Sequence, residues 1–176
     1  GNTVSNLSSS RALKDVTEAY GQQYHAAAVG EVNVVAEMKR THSVIGGEGN
    51  GGVIYPESHY GRDALVGVGL FLSHYVAQSK KMTELKSTYP PYFISKNKMT
   101  LSPDMDVDKI LEGLKERYAT EKVTDIDGVK IDFAQGWVHL RKSNTEPIIR
   151  IYSEAKDEAA ANQLAEEVIA AAKSTL

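Results

Sequence analysis

The segment Val44–Pro56 reads VIGGEGNGGVIYP, and within it Gly47-Glu48-Gly49-Asn50-Gly51-Gly52 has the G-x-G-x-x-G spacing of loops that bring backbone amides to a dinucleotide pyrophosphate. That chemistry needs a strand running into the loop and a helix running out. Here the loop is followed by Val53, Ile54 and Tyr55, closed by Pro56, a β-branched and aromatic triplet that predicts a strand. The dinucleotide reading is therefore rejected, and the glycine loop is kept as a turn between strands whose polar side chains are Glu48 and Asn50. A carboxylate that accepts from two neighbouring hydroxyls, beside an amide that donates and accepts, suits a sugar. Five glycines between Gly46 and Gly52 are entropically costly to order, which favours close ligand approach over a bare connector. Glu48 has no Asp, Glu or His partner at metal-site spacing.

A second loop, Arg141 to Arg150, reads RKSNTEPIIR. Ser143, Asn144 and Thr145 place hydroxyl and amide groups between two arginines. Turn amides can converge into an anion nest, and guanidinium groups can hold phosphate oxygens bidentately. Residue types alone favour the plainer alternative, a polar hairpin turn with its arginines in water. The five histidines, His25, His42, His59, His74 and His139, form no ligand pattern, and core or rim is the plainer place for Trp137.

Positioning these loops falls to two different kinds of layer. In the first half, helical periodicity through Leu13, Val16 and Tyr20, through Val34, Val35 and Met38, and from Leu65 to Tyr75 behind an Asp63 cap alternates with short apolar runs. This order predicts an α/β domain with a small mixed sheet. A charged stretch running into Pro90-Pro91 breaks the pattern, and the domains are placed at 1–85 and 86–176. Beyond it come a strand over 92–99, a helix behind Asp106, a hairpin around Asp127-Gly128, two further strands, and a last helix from Asp157. These predict an α+β domain, an antiparallel sheet covered by two helices.

With 176 residues, 41% of them hydrophobic, the chain has enough apolar surface for a sizeable core. A net charge of −3 and the absence of any Lys/Arg run beyond two argue against a nucleic-acid partner. No apolar run approaches a bilayer span, and with no cysteine and no leader pattern a cytoplasmic setting is expected. An opening strand signal without lead-in or methionine suggests a piece of a longer protein.

Together, a GGE-x-x-G loop in an α/β domain and an R-x-S-x-T-E-P-x-x-R loop in a following α+β domain resemble the α-D-phosphohexomutase superfamily of phosphoglucomutases, phosphomannomutases and phosphoglucosamine mutases. The resemblance covers nearly the whole chain, as most of the third and all of the fourth domain of a four-domain enzyme. It implies that Glu48 and Asn50 contact sugar hydroxyls, that Arg141, Ser143, Asn144 and Thr145 hold the phosphate, and that Arg150 supports the loop. The family's sugar loop usually ends in histidine, thought to assist proton transfer. Gly52 stands there instead, so the acid or base is unassigned. Glu31, in VGEVNVVAEM, is a candidate for acid–base work or equally a helix cap.

The resemblance further implies a hexose phosphate substrate, isomerised by phosphoryl transfer through a phosphoserine with Mg²⁺ and a hexose 1,6-bisphosphate intermediate. The serine loop (Thr-Ala-Ser-His-Asn-Pro) and the metal loop (Asp-Gly-Asp-x-Asp-Arg) do not occur in these residues. The expectation is that they lie in missing N-terminal domains, and that this piece supplies recognition. The competing expectation is a non-catalytic sugar-phosphate-binding or regulatory module.

Overall fold

The computed structural model of the chain describes residues 1–102, 105–143 and 145–175. Its contacts divide into two units, Gly1–Pro91 and Tyr92–Leu176.

The first unit holds β1 (Thr3–Asn6), α1 (Ala12–Ala19), β2 (Tyr24–Ala27), α2 (Glu31–Thr41), β3 (Ile45–Glu48), β4 (Gly52–Tyr55), β5 (His59–Arg62), α3 (Ala64–Gln78) and the short α4 (Met82–Lys86). The sheet order is β2-β1-β3-β4-β5. β1 is parallel to β2 and β3, while β3–β4 and β4–β5 are antiparallel, which makes the sheet mixed. Val4, Ala27, Val34, Met38 and Ile54 form its core. Short strands put the ends of β1 and β3 beside the start of α2, and polar side chains gather there.

Helix α3 opens as its sequence predicts, with Asp63 accepting from the Val66 amide at 2.9 Å. Its apolar run, however, leaves no residue buried. Within the unit the helix packs mainly on the antiparallel end of the sheet at β4 and on the short α4, and Leu65 and Val76 remain 85% and 73% exposed. Strand β5 and helix α4 were not legible from the sequence pattern, because β5 (HYGR) carries no β-branched or apolar run and α4 is little more than one helical turn.

The second unit holds β6 (Phe93–Thr100), α5 (Val107–Arg117), β7 (Lys122–Thr124), β8 (Val129–Asp132), β9 (Gly136–Lys142), β10 (Ile148–Ala155) and α6 (Glu158–Lys173). Its sheet is antiparallel throughout, in the order β6-β10-β9-β8-β7. Asp106 and Asp157 cap the two helices. Alternation along β9 sends Val138 and Leu140 into a core shared with Ile149, Ile151, Ile110, Leu114, Leu164 and Val168. Trp137, His139 and Arg141 occupy the other face of the same strand.

Gly128 closes the β7–β8 hairpin at φ 67°. A Cβ there would run into the Leu140 carbonyl and lie 2.8 Å from the Arg141 Cα. Gly128→Ala is therefore expected to destabilise the second unit by about 1–3 kcal/mol through backbone strain. Trp137, the only tryptophan of the chain, reports the shift in a denaturant titration.

Candidate functional site

Glu48 ends β3 with its side chain only 6% exposed. Burying a carboxylate this deeply requires donors, and the fold supplies them from three directions. Oε1 accepts from Asn6 Nδ2 at 3.1 Å and from the Gly30 amide at 3.2 Å. Oε2 lies 3.3 Å from Arg62 Nη1. Asn6 ends β1, where its own Oδ1 accepts from the Ser8 amide and the Ser9 hydroxyl, so its amide group is fixed in orientation. Of the Glu48 oxygens, Oε2 keeps the greater acceptor capacity.

Asn50 sits at the turn, exposed, with Oδ1 taken by the Gly52 amide at 3.2 Å. Its side-chain NH₂ is the part facing outward chemistry. Asn50 lines a polar cleft of about 430 Å³ with Glu31, Arg62 and Asp63. On the other side of the same loop a second cleft of about 280 Å³ is lined by Ser5, Ser9, Leu13 and Glu48.

Glu31 is the first residue of α2, behind the N-cap Gly30, where a helix start favours an acidic side chain. It accepts from the Arg62 amide at 3.0 Å and from Arg62 Nε at 2.8 Å. These bonds from Arg62, backbone first, hold its carboxyl below the usual carboxylate range, which suits a fixed anion better than a group that exchanges a proton near neutrality. His59 Nε2 lies 3.1 Å from Asp63 Oδ2. The α3 amide of Val66 and then His59 hold the Asp63 carboxyl low. Asn6 and Arg62 thus join a site in which the sequence had marked only Glu31, Glu48 and Asn50.

In the second unit, Arg141 and Arg150 stand directly opposite each other on β9 and β10. Like charges at such a pair repel, and each has its own carboxylate. Arg150 Nη2 donates to Glu146 Oε2 at 2.9 Å, across the loop, while Arg141 Nη1 lies 3.9 Å from Asp127 Oδ2. The looser partner leaves Arg141 the freer of the two to take an external anion. Ser143 is buried, and its Oγ accepts from the Thr145 amide at 3.4 Å, with Thr145 Oγ1 at 3.5 Å. Asn144 lies outside the described residues. The structure therefore brings together Arg141, Ser143, Thr145 and Arg150 at one end of the sheet.

Arg141 also ends a polar row across β9. His139 donates from Nε2 to the Asp127 carbonyl at 2.7 Å, and Trp137 donates to Glu154 Oε1 at 2.8 Å. Lys130 lies 4.5 Å from the Trp137 ring centroid. Burial, opposed by the Asp127 contact, lowers the His139 pKa to about 4, so the imidazole is neutral under ordinary conditions. Among the described residues no group of three or more His, Asp or Glu has the geometry to hold a metal, and no helix is long and apolar enough to cross a membrane.

Residues 1–92 match the family model of phosphoglucomutase/phosphomannomutase alpha/beta/alpha domain III, and residues 96–171 match that of the phosphoglucomutase/phosphomannomutase C-terminal domain. The phosphoglucosamine/phosphogalactosamine mutase of Sulfurisphaera tokodaii is 36% identical over 167 residues, 94% of this chain and 37% of that protein. The phosphoglucomutase/phosphomannomutase of Thermococcus kodakarensis is 36% identical over 168 residues, 94% of this chain and 36% of that protein. The chain thus spans little more than a third of the length of these curated relatives. Among solved structures, a phosphoglucomutase/phosphomannomutase family protein from Burkholderia thailandensis shares the fold with a TM-score of 0.76 at 22% identity, covering 99% of this chain and 37% of that one. An Aspergillus fumigatus N-acetylphosphoglucosamine mutase, solved with GlcNAc-6P and magnesium, gives a TM-score of 0.62 at 15% identity, covering 99% and 39%.

Proposed function

Since the chain belongs to the phosphoglucomutase/phosphomannomutase family, we propose that it is the recognition part of a phosphohexomutase, an isomerase that interconverts hexose 1-phosphate and hexose 6-phosphate. The observation that carries this reading is the state of Glu48. A nearly buried carboxylate with one oxygen saturated and the other partly open is built to accept hydroxyl hydrogens in a fixed direction. Asn50, two residues further along the loop, lines the neighbouring polar cleft, and its side-chain NH₂ adds donors there. In the second unit, Arg141 contributes charge and a planar fork of donors, and the Ser143–Thr145 turn contributes hydroxyls and backbone amides for phosphate oxygens. Arg150, tied to Glu146, stiffens the loop.

Holding a sugar by its hydroxyls and a phosphate by its oxygens positions both reacting ends without chemistry from this chain. On this reading the ligands of Mg²⁺, whose charge would balance the phosphoryl group, the phosphoserine and the reaction of a bisphosphate intermediate belong to other parts of a longer protein. The relatives are named for glucose, mannose, glucosamine and galactosamine phosphates, and the substrate class of this protein is a hexose phosphate.

The test compares two proteins, the full-length gene product and this chain alone, against glucose, mannose and glucosamine 1-phosphates. Turnover of at least one of them is expected from the full-length protein and none above blank from the chain. No turnover of any hexose phosphate by the full-length protein would replace the mutase with a binding module. Turnover by the chain alone would overturn its role as recognition only.

A further inference from the structure

The structure assigns to Arg62 the part of positioning residue for the glycine loop: its stem fills the space a side chain at position 52 would need, and its charged end ties Glu31 to Glu48. This deepens the sugar-loop reading given above and rests on it.

Three observations lead there. First, Gly52 has no room for a side chain. A Cβ at this position would collide with Arg62 Cδ and lie 3.0 Å from Arg62 Cγ. The space beside position 52 is thus occupied by the aliphatic part of an arginine from the neighbouring strand. Strands β4 and β5 pair Ile54 with Arg62, which sets Arg62 diagonally across from Gly52 and lets the stem lie over it.

Second, the guanidinium reaches two carboxylates that belong to different elements. Nε is 2.8 Å from Glu31 Oε2 on α2 and Nη1 is 3.3 Å from Glu48 Oε2 on β3. The Arg62 backbone amide adds a third bond, to Glu31 Oε1 at 3.0 Å. Because a guanidinium is planar, fixing Nε on Glu31 also fixes the direction of Nη1. The start of α2 is in this way coupled to the end of β3 through one side chain.

Third, Glu48 is held from both sides only while Arg62 is present. Asn6 and Gly30 occupy Oε1 as neutral donors. Arg62 is the cation that faces Oε2. Losing it leaves a nearly buried anion with donors on one oxygen only, and the carboxylate turns to find others. Arg62 itself lines the polar cleft with Asn50 and Glu31, so the side chain that ties Glu48 also borders that cleft. The role differs from that of an imidazole, since an arginine stays protonated and cannot transfer a proton.

The experiment has a substrate-free arm and a kinetic arm. In this chain, the Asn6 side-chain amide and the Gly30 backbone amide report on Glu48 Oε1 by NMR. Arg62→Met is expected to move both resonances, and Arg62→Lys to move them less. Gly52→Ala is expected to reproduce the Arg62→Met change by displacing the stem, with no further change in the double variant. In the full-length protein the same variants should lower kcat/KM by about 10- to 100-fold, mainly through KM, with the same non-additivity. Unmoved Asn6 and Gly30 resonances in folded Arg62→Met would overturn the tether. Shifted resonances with wild-type kinetics would overturn its positioning role. Should the wild-type full-length protein turn over no hexose phosphate, the mutase reading fails, and the resonances still decide whether Arg62 holds Glu48.

Discussion

Arg141→Ala in the full-length protein is expected to lower kcat/KM for its hexose phosphate by a factor corresponding to about 2–5 kcal/mol, with KM raised and kcat reduced together. Both parameters would move because, under the proposed function, a phosphate on Arg141 would anchor the ground state and each orientation of a bisphosphorylated intermediate. Arg141 is a quarter exposed and its carboxylate partner among the described residues, Asp127, is 3.9 Å away, a loose pairing for an incoming phosphate to displace. Arg150 makes the internal comparison. It already donates to Glu146 at 2.9 Å, so Arg150→Ala is expected to act through loop order and to have the smaller effect. Arg141→Lys keeps the charge but loses the bidentate fork, and should fall between alanine and wild type. Wild-type kinetics for Arg141→Ala would return this loop to a solvated hairpin turn.

What the sequence made legible is the set of elements with strong local signals. Asp63, Asp106 and Asp157 mark helix starts, and all three side chains accept from amides of the first turn. Asp127-Gly128 marks the β7–β8 hairpin, and the two-residue alternation of β9 separates core from polar face. The glycine loop was read as a turn between strands, and it joins β3 to β4 as such. Its glycines, however, answer to the chain itself. A Cβ at Gly46, Gly47 or Gly52 would strike Met38, the Gly52 carbonyl or Arg62 respectively. Density of glycine showed a close approach, and only the fold shows that the approaching atoms belong to the protein.

Arg62 and Asn6 escaped for a related reason. Neither lies in a motif, and they act through contacts 14 to 42 residues away in sequence. A strand as short as β5 has no period to reveal which way its residues face. Glu31 was legible as an acidic residue at a helix start, but the choice between cap and acid–base group depended on Arg62. Exposure of α3 was likewise beyond local pattern, because an apolar face predicts a partner surface without saying which element provides it.

The second large effect expected is an acid-sensitive second unit. The His139 imidazole is fully enclosed, and burial depresses its pKa from 6.5 to about 4. In the unfolded chain the same group titrates near its ordinary value. Between these two values the unfolded state binds a proton that the folded state refuses, so stability is lost as pH falls from about 6.5 towards 4 and is complete above that window. At roughly 1.4 kcal/mol per unit the loss comes to about 3 kcal/mol. Among the groups that face the ring are Asp127, whose carbonyl accepts from its N–H and opposes the depression, and the cations Lys130 and Arg141, which add to it. Carboxylates of the first unit held below the usual range, Glu31, Glu37 and Asp63, also destabilise the protein in acid, so a global probe would mix the two. Trp137 fluorescence isolates the second unit. His139→Gln retains a side-chain N–H for the Asp127 carbonyl without a titrating group, and its stability measured by Trp137 should be nearly level over the window in which the wild type falls. Equal slopes for the two proteins would mean that the unfolding unit does not exclude the proton from His139, and that its neutrality contributes nothing to the integrity of the strand that carries Arg141.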